Sequence, residues 1–306
     1  LILATALLTI ILSACGNNQK DTDSDNQLEA VDKDKVKVVT SFSMIEDMAK
    51  EIGGKHVEVT NLVPTGTDPH DYEPQPSDIK HLSQADLVFY NGLNLEGGDQ
   101  GWLSKALSST DFSKKNAIKA SEGVSPKYIK DEDGNKEVNP HAFIDPNVGE
   151  KMIKNITKSL SERNPKYKSY YEANEKEYLK KLNNIEDDYN QQLGSIPEED
   201  RVFVASEQAF QYLTDRYDLK EGYIWPIDTD ENGTPNQIKD LTKFIKSNKP
   251  ATLFVESNVD TRPMKTVSNE TGVPIYKKPI YSDEIGKKGE QADTYLKYLE
   301  YNLDVL

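Results

Sequence analysis

Two histidines of this 306-residue chain stand in near-matching settings. His70 lies in Thr67-Asp68-Pro69-His70-Asp71-Tyr72-Glu73-Pro74, and His141 in Asn139-Pro140-His141-Ala142-Phe143-Ile144-Asp145-Pro146. Each ring directly follows a proline, whose fixed φ stiffens the approach, and acidic residues stand nearby. Imidazole and carboxylate together are the donors of a metal site. The chain has only 4 histidines and none follows His141, so ligands from the C-terminal half must be of another kind. His56 and His81 lack comparable surroundings and read as structural or solvated.

Holding such residues in place takes a framework. Residues 36–42 read as a strand, 44–52 as a helix stopped by Gly53-Gly54, and 56–63 as a second strand. Pro76-Ser77-Asp78 starts another helix, with Ser77 as its expected N-cap. Residues 85–92 form a buried strand. A polar hairpin over 128–138 turns at Asp133-Gly134, and a helix follows at 147–163. In the long helix expected over 165–193, Tyr171, Tyr178, Leu182, Ile185, Tyr189 and Leu193 make one apolar stripe. At ~1.5 Å per residue it spans roughly 40 Å, the length of a spine between lobes, and Gly194 ends it. Strands at 201–206, 251–257 and 273–276 then alternate with helices at 208–216 and 291–303. Val38-Val39-Thr40-Ser41-Phe42 and Phe203-Val204-Ala205-Ser206-Glu207 both run from an apolar strand toward a helix. The expected fold is α/β: two (β/α) lobes with mainly parallel sheets, 36–164 and 195–306, joined by one rigid helix over 165–194.

In open α/β sheets, ligands gather beyond the carboxyl ends of strands. His70 follows the strand 56–63, His141 the hairpin, Glu207 the strand 201–206, and Asp283 the run 275–281. Two come from each half, which puts one site in the cleft between lobes. On sequence alone Glu207 is a weak signal, since a glutamate at a helix start is more often a favourable dipole partner, and Asp283 reads equally well as a helix cap. Glu256 closes an apolar strand, where a carboxylate needs a partner, so it fits a supporting hydrogen-bond role. Two imidazoles and two carboxylates without sulfur suit Mn(II), Zn(II) or Fe(II) and argue against Cu(I). Extra oxygen ligands lean toward Mn(II), strict tetrahedral geometry toward Zn(II).

The bulk numbers agree with a cation-binding protein large enough for two domains. A net charge of −15, with 52 acidic residues, argues against nucleic acid as partner. No apolar run reaches the ~18 residues of a membrane-spanning helix. Residues 1–14 are nonetheless apolar and end in small residues, the pattern of a secretory signal peptide with a truncated start. Cys15 is the single cysteine, so no disulfide forms within the chain. Leu12-Ser13-Ala14-Cys15 resembles the bacterial lipobox, in which the cysteine carries acyl chains that anchor the mature protein. Residues 16–35 are polar and read as a disordered tether.

With these residues in view, the chain resembles the cluster A-I (cluster 9) solute-binding proteins of bacterial ABC transporters, which deliver manganese or zinc. The likeness runs from the lipobox to Leu306. It rests on Pro64-Thr65-Gly66-Thr67-Asp68-Pro69-His70-Asp71-Tyr72-Glu73-Pro74, Asn91-Gly92-Leu93-Asn94-Leu95-Glu96, Pro140-His141-Ala142-Phe143-Ile144-Asp145-Pro146, Phe254-Val255-Glu256-Ser257-Asn258 and Tyr281-Ser282-Asp283. Within that family it is most similar to manganese-binding lipoproteins of Gram-positive bacteria, staphylococcal ones in particular. The resemblance implies His70, His141, Glu207 and Asp283 as the four ligands of a transported Mn(II), with Zn(II) able to bind in its place. It also implies a membrane permease and cytoplasmic ATPase as partners. The protein is then expected outside the cell membrane, lipid-anchored through Cys15 and monomeric. Zinc-specific relatives usually place a third histidine where Glu207 stands and carry a His-rich loop before the second ligand; here that stretch is the acidic hairpin. Both departures favour manganese.

Two other classes compete. A metalloenzyme needs an open coordination position, which four protein ligands do not leave, and the chain has no HExxH, nucleophile elbow or P-loop. A surface adhesin is compatible with a lipid tether, but no visible feature encodes a host contact.

Overall fold

The computed structural model describes residues 35–130, 134–227 and 233–306. The expected signal peptide, Cys15, the tether up to residue 34 and Asp133 at the hairpin turn lie outside the described residues.

The first half is built on a parallel sheet. β1 (Val36–Thr40) pairs with β2 (Val57–Asn61) in register Val36↔Val57 and with β3 (Leu87–Tyr90) in register Val38↔Leu87; β3 pairs with β4 (Ala117–Lys119). The order is β2-β1-β3-β4. Val38, Val39, Val88 and Phe89 are all buried, as expected where helices cover both faces of a parallel sheet. α1 (Ser43–Gly53) follows β1 and ends at Gly54, whose φ of +50° suits a residue without a Cβ. α2 (Pro76–Gln84) is capped by Gln75, not Ser77. The carboxylate of Asp78 accepts from the Gln75 N–H at 2.7 Å, a capping box that shifts the helix start ahead of the serine. α3 (Trp102–Ser108) precedes β4.

β5 (Tyr128–Lys130) and β6 (Lys136–Val138) form the expected antiparallel hairpin. α4 (Pro146–Arg163), with Asp145 as N-cap, leads to α5 (Lys168–Gly194). All six residues of the apolar stripe on α5 are buried, and Leu182, Ile185 and Leu193 each contribute ~1.5–3 kcal/mol of transfer free energy as an upper bound. Near its start, Asn174 Nδ2 donates to the Ile52 carbonyl at 2.9 Å. Further along, Glu186 and Asn190 meet Arg216 and Tyr217 of the second half. One helix thus touches both halves.

The second half repeats the theme with a shorter sheet. β7 (Val202–Val204) pairs in parallel with β8 (Lys220–Gly222), and α6 (Gln211–Arg216) lies between them in sequence. The expected strand 251–257 runs beside β7, where the Phe254 N–H donates to the Val204 carbonyl at 2.8 Å. It joins the next segment through the parallel bridges Leu253↔Ile275 and Glu256↔Ile280. Proline cannot donate to a ladder, and Pro250, Pro274 and Pro279 punctuate this stretch. α7 (Pro235–Asn248) and α8 (Thr261–Thr271) close a core around Trp225, Leu241, Leu253 and Met264. α9 (Tyr295–Val305) starts four residues later than the expected 291, because the Thr294 hydroxyl caps it. It packs on α1 and α5. No helix among the described residues is long and apolar enough to cross a membrane.

Candidate metal centre

His70 and His141 are presented by the same local device. In Asp68-Pro69-His70 the aspartate Oδ1 accepts from the His70 N–H at 2.7 Å. In Asn139-Pro140-His141 the asparagine Oδ1 accepts from the His141 N–H at 3.0 Å. Both are Asx turns, which bend the chain within two residues of the acceptor. The first turn is pinned by Trp102, whose Nε1 donates to the Pro69 carbonyl at 2.9 Å. The second is pinned by Asn91, whose Nδ2 donates to the Pro140 carbonyl at 2.9 Å. Asn91 is itself held by buried Glu96, which accepts from the Asn91 N–H and from Ser41 Oγ, each at 2.7 Å. His141 opens a short 3₁₀ turn, His141–Ile144, ahead of α4.

Glu207 and Asp283 come from the other half. Glu207 continues the line of β7 and bridges in parallel to Trp225. The Gln208 N–H donates to the Trp225 carbonyl and the Phe210 N–H to Glu221 Oε1. These bonds hold Glu207 in a bridge and 208–209 in a turn, so α6 begins at Gln211 and not at 208. Glu207 is therefore not in a helical first turn, and the helix-start reading falls. Asp283 caps no helix either, since the next one begins at Tyr295. Instead, Asn302 brackets Tyr281, accepting from its N–H at 3.0 Å and donating to its carbonyl at 2.8 Å, and Tyr298 Oη donates to the Ser282 carbonyl at 3.1 Å. α9 thus carries the Asp283 loop.

These four side chains converge. His70 Nε2 lies 3.2 Å from His141 Nε2. Asp283 Oδ1 lies 2.9 Å from His141 Nε2 and 3.6 Å from His70 Nε2. The ligand-competent atoms of His70, His141 and Asp283 fall within 4.8 Å of one another. Glu207 joins them with its Oε1 3.4 Å from His141 Nε2. His141, Glu207 and Asp283 are buried, and the His70 side chain is only 6% exposed. Buried Asp283 Oδ1 makes no aligned hydrogen bond, as expected of an oxygen whose partner is a cation and not a proton.

The electrostatics tie the rings to the carboxylate. Burial lowers the pKa of His141 against the opposing pull of Asp283, which favours the neutral imidazole. Burial also penalises the Asp283 anion, but His141 and His70, when protonated, outweigh that and hold its carboxyl well below the usual range, so rings and carboxylate titrate as one group. A neutral ring and an ionised carboxylate are what a metal ion requires.

Glu256 stands behind Glu207. Its Oε1 accepts from the Glu207 N–H at 2.8 Å and its Oε2 from the Ser206 N–H at 3.2 Å. Burial raises its pKa to about 7 despite these donors. Sequence reasoning singled out Glu256 but passed over Asp68 and Asn139; the signal was an Asx residue two before each histidine. His56 stacks on Tyr167, with ring centroids 3.6 Å apart, and His81 sits in the last turn of α2, so neither joins the centre. A cavity of about 460 Å³ beside β3, lined by Tyr90, Leu93, Leu103 and Lys119, contains none of the four residues.

Comparison with known proteins agrees with this reading. The family model described as zinc-uptake complex component A, periplasmic, matches residues 38–306. The manganese ABC transporter substrate-binding lipoprotein PsaA of Streptococcus mitis is 41% identical over 299 residues, covering 97% of this chain and 94% of that protein. The metal ABC transporter substrate-binding lipoprotein SsaB of Streptococcus sanguinis is likewise 41% identical over 299 residues, with 97% and 94% covered. Among solved structures, the Mn-bound periplasmic metal binding protein from Candidatus Liberibacter asiaticus has a TM-score of 0.78 at 30% identity, covering 89% of this chain and 98% of that one. Its Cd-bound form has a TM-score of 0.79 at 31% identity with the same coverage. The chain belongs to the zinc-uptake complex component A family, the metal-binding substrate-binding proteins of ABC transporters, which carry cargo and catalyse no reaction.

Proposed function

We propose that this chain captures Mn(II) as its cargo and hands it to a membrane permease for ATP-driven import, with His70, His141, Glu207 and Asp283 as ligands. The observation that carries this reading is the meeting of two imidazoles and two carboxylates, drawn from both halves, at one buried point. A mixed N/O set in which a carboxylate can bind through both oxygens suits Mn(II). The streptococcal relative named for manganese and the Mn-bound structural neighbour support the same choice. Zinc is the second reading, because the tight spacing of His70, His141 and Asp283 suits a tetrahedral ion. Zn(II) also outcompetes Mn(II) at equal ligands, so selection rests on geometry and on which metal is available.

As a substrate-binding component, the chain works with a permease and an ATPase. Lipid on Cys15 tethers the body, a monomer, to the outer face of a Gram-positive membrane through residues 16–35. The lobes 36–164 and 195–306 stay fixed about the spine 165–194, so cargo leaves by a local change in the C-terminal half and not by a wide hinge. Elemental analysis of protein purified from its own host under ordinary metal supply tests the cargo. About one manganese per chain is expected, as for a single four-ligand site; zinc in its place, or no metal, overturns the manganese reading.

A further inference from the structure

Asn139 has no exposure, and every polar group it owns is engaged. Its side-chain Oδ1 accepts from the His141 N–H at 3.0 Å and faces His141 Nδ1 at 2.8 Å. Its Nδ2 donates to the Gln208 carbonyl at 2.9 Å and to Gln211 Oε1 at 3.2 Å. Its main-chain N–H donates to the Lys127 carbonyl at 2.9 Å, and its carbonyl accepts from Tyr212 Oη at 2.9 Å. The Gln208 carbonyl can only accept, so the amide nitrogen must face it and the amide oxygen must face His141. An amide oxygen only accepts in turn, so Nδ1 carries the ring proton and Nε2 keeps its lone pair for the site.

We propose that Asn139 is a positioning residue that couples His141 to the Glu207 segment and thereby sets the balance between Mn(II) and Zn(II); this rests on the metal-site reading above. One planar amide fixes the tautomer of a ring from the first half and grips the residue next to Glu207 in the second. His70 has Asp68 on its N–H, a carboxylate with no amide donor to offer the other half. Glu207 reaches the cluster of His70, His141 and Asp283 with its Oε1 3.4 Å from His141 Nε2, and its backbone placement depends on what holds 207–208. Zn(II) is satisfied by that cluster with water as a fourth ligand. Mn(II), at the weak end of the affinity order, needs the extra oxygens of Glu207. Loosening Gln208 therefore costs Mn(II) more than Zn(II).

The full chain carrying Asn139→Asp or Asn139→Leu tests this, with thermal unfolding followed to confirm that each variant folds. Asn139→Asp keeps an acceptor for His141 Nδ1 and loses the donor to Gln208; Asn139→Leu loses both. In the metal-free proteins, ring ¹⁵N spectra should show a protonated Nδ1 in the native chain and in Asn139→Asp, but no such preference in Asn139→Leu. The Gln208 carbonyl ¹³C signal should move upfield in both variants. In titrations with Mn(II) or Zn(II) alone, Asn139→Asp should lose about tenfold or more in Mn(II) affinity while Zn(II) changes by no more than about threefold. An Nε2-protonated ring in the native chain, an unmoved Gln208 carbonyl, or equal losses for the two metals overturns the proposal. A native chain that binds neither metal overturns the reading of the site and the selectivity with it, while the ring and carbonyl signals still decide the coupling.

Discussion

The Glu207 N–H points at Oε1 of Glu256 across 2.8 Å, so one buried carboxylate steers another residue's carboxylate through the backbone between them. Glu256→Gln keeps one acceptor but turns an NH₂ toward one of the two N–H groups. The mismatch should cost ~1–3 kcal/mol and weaken Mn(II) binding about 10–100-fold, as losses behind a metal ligand do. Calorimetric titration checks the affinity. Unchanged binding would mean that Glu207 is held by other contacts.

Metal should stabilise the native chain by mass action. At a free concentration ~100 times Kd the gain is ~2.7 kcal/mol, or roughly 5–10 °C in Tm for a body of this size. His70→Ala and Asp283→Ala should each abolish that rise while leaving the metal-free Tm within a few degrees. Differential scanning fluorimetry with and without Mn(II) reads both, and a full metal-induced rise in either variant would remove that residue from the ligand set.

Asp47 gives the fold a pH dependence remote from the metal. Burial is the main reason its pKa rises to about 7, with Glu51 and Glu46 adding to it and the Tyr295 N–H, donating at 2.9 Å, opposing. Between pH ~4 and 7 the unfolded chain ionises this group while the folded chain keeps it protonated, so stability falls as pH rises and stays lowered above 7. The half-buried position limits the effect to roughly 1–3 kcal/mol. Asp47→Asn retains an acceptor for Tyr295 and should flatten the decline between pH 5 and 8. Denaturant midpoints across that range test it; an unchanged slope would assign the dependence to other acids.

Gly149 leaves room on α4 for Tyr295. A Cβ there would stand 2.5 Å from Tyr295 Oη and 2.8 Å from Cε1, and the same hydroxyl donates to the Phe143 carbonyl at 2.7 Å. Gly149→Ala should destabilise by ~1–3 kcal/mol, offset in part by the ~1 kcal/mol that alanine gains in a helix. Because Phe143 belongs to the turn that starts at His141, metal affinity should drop as well. Equilibrium unfolding and a Mn(II) titration on one sample separate the two effects, and a variant more stable than the parent would show that the tyrosine has space to move.

A rigid spine predicts small changes in shape. Small-angle scattering profiles of the metal-bound and metal-free chain should superpose; a clear fall in radius of gyration on adding Mn(II) would replace local release with closure of the two halves.

How far the sequence could be read depended on where each signal sits. The stripe on α5 was legible residue by residue, because six apolar positions on an otherwise polar helix allow one orientation. The four converging residues were legible because each follows a strand or a hairpin. The first turn of α2 was misplaced by two residues: Ser77 has the right chemistry, but Gln75 and Asp78 complete a reciprocal pair that includes the proline. α7 went unread although Thr234-Pro235-Asn236-Gln237 spells its capping box. The expected strand 251–257 meets the 275–280 segment through two isolated bridges, since register between segments broken by proline is a tertiary matter. Asn139 was hidden for another reason. Its partners Gln208 and Gln211 lie about 70 positions further along the chain, and nothing local announces them.

The attachment of Asp283 to α9 fixes an order of assembly. Tyr298 and Asn302 hold the loop that carries the aspartate, and the Tyr295 N–H reaches back 248 positions to Asp47. Contacts of that span close late. The histidine turns need only neighbours two residues apart, whereas the carboxylate depends on contacts of long sequence span. A chain that ends before Tyr295 would keep His70, His141, Glu207 and Asp283 in its sequence but lose the helix that holds the Asp283 loop.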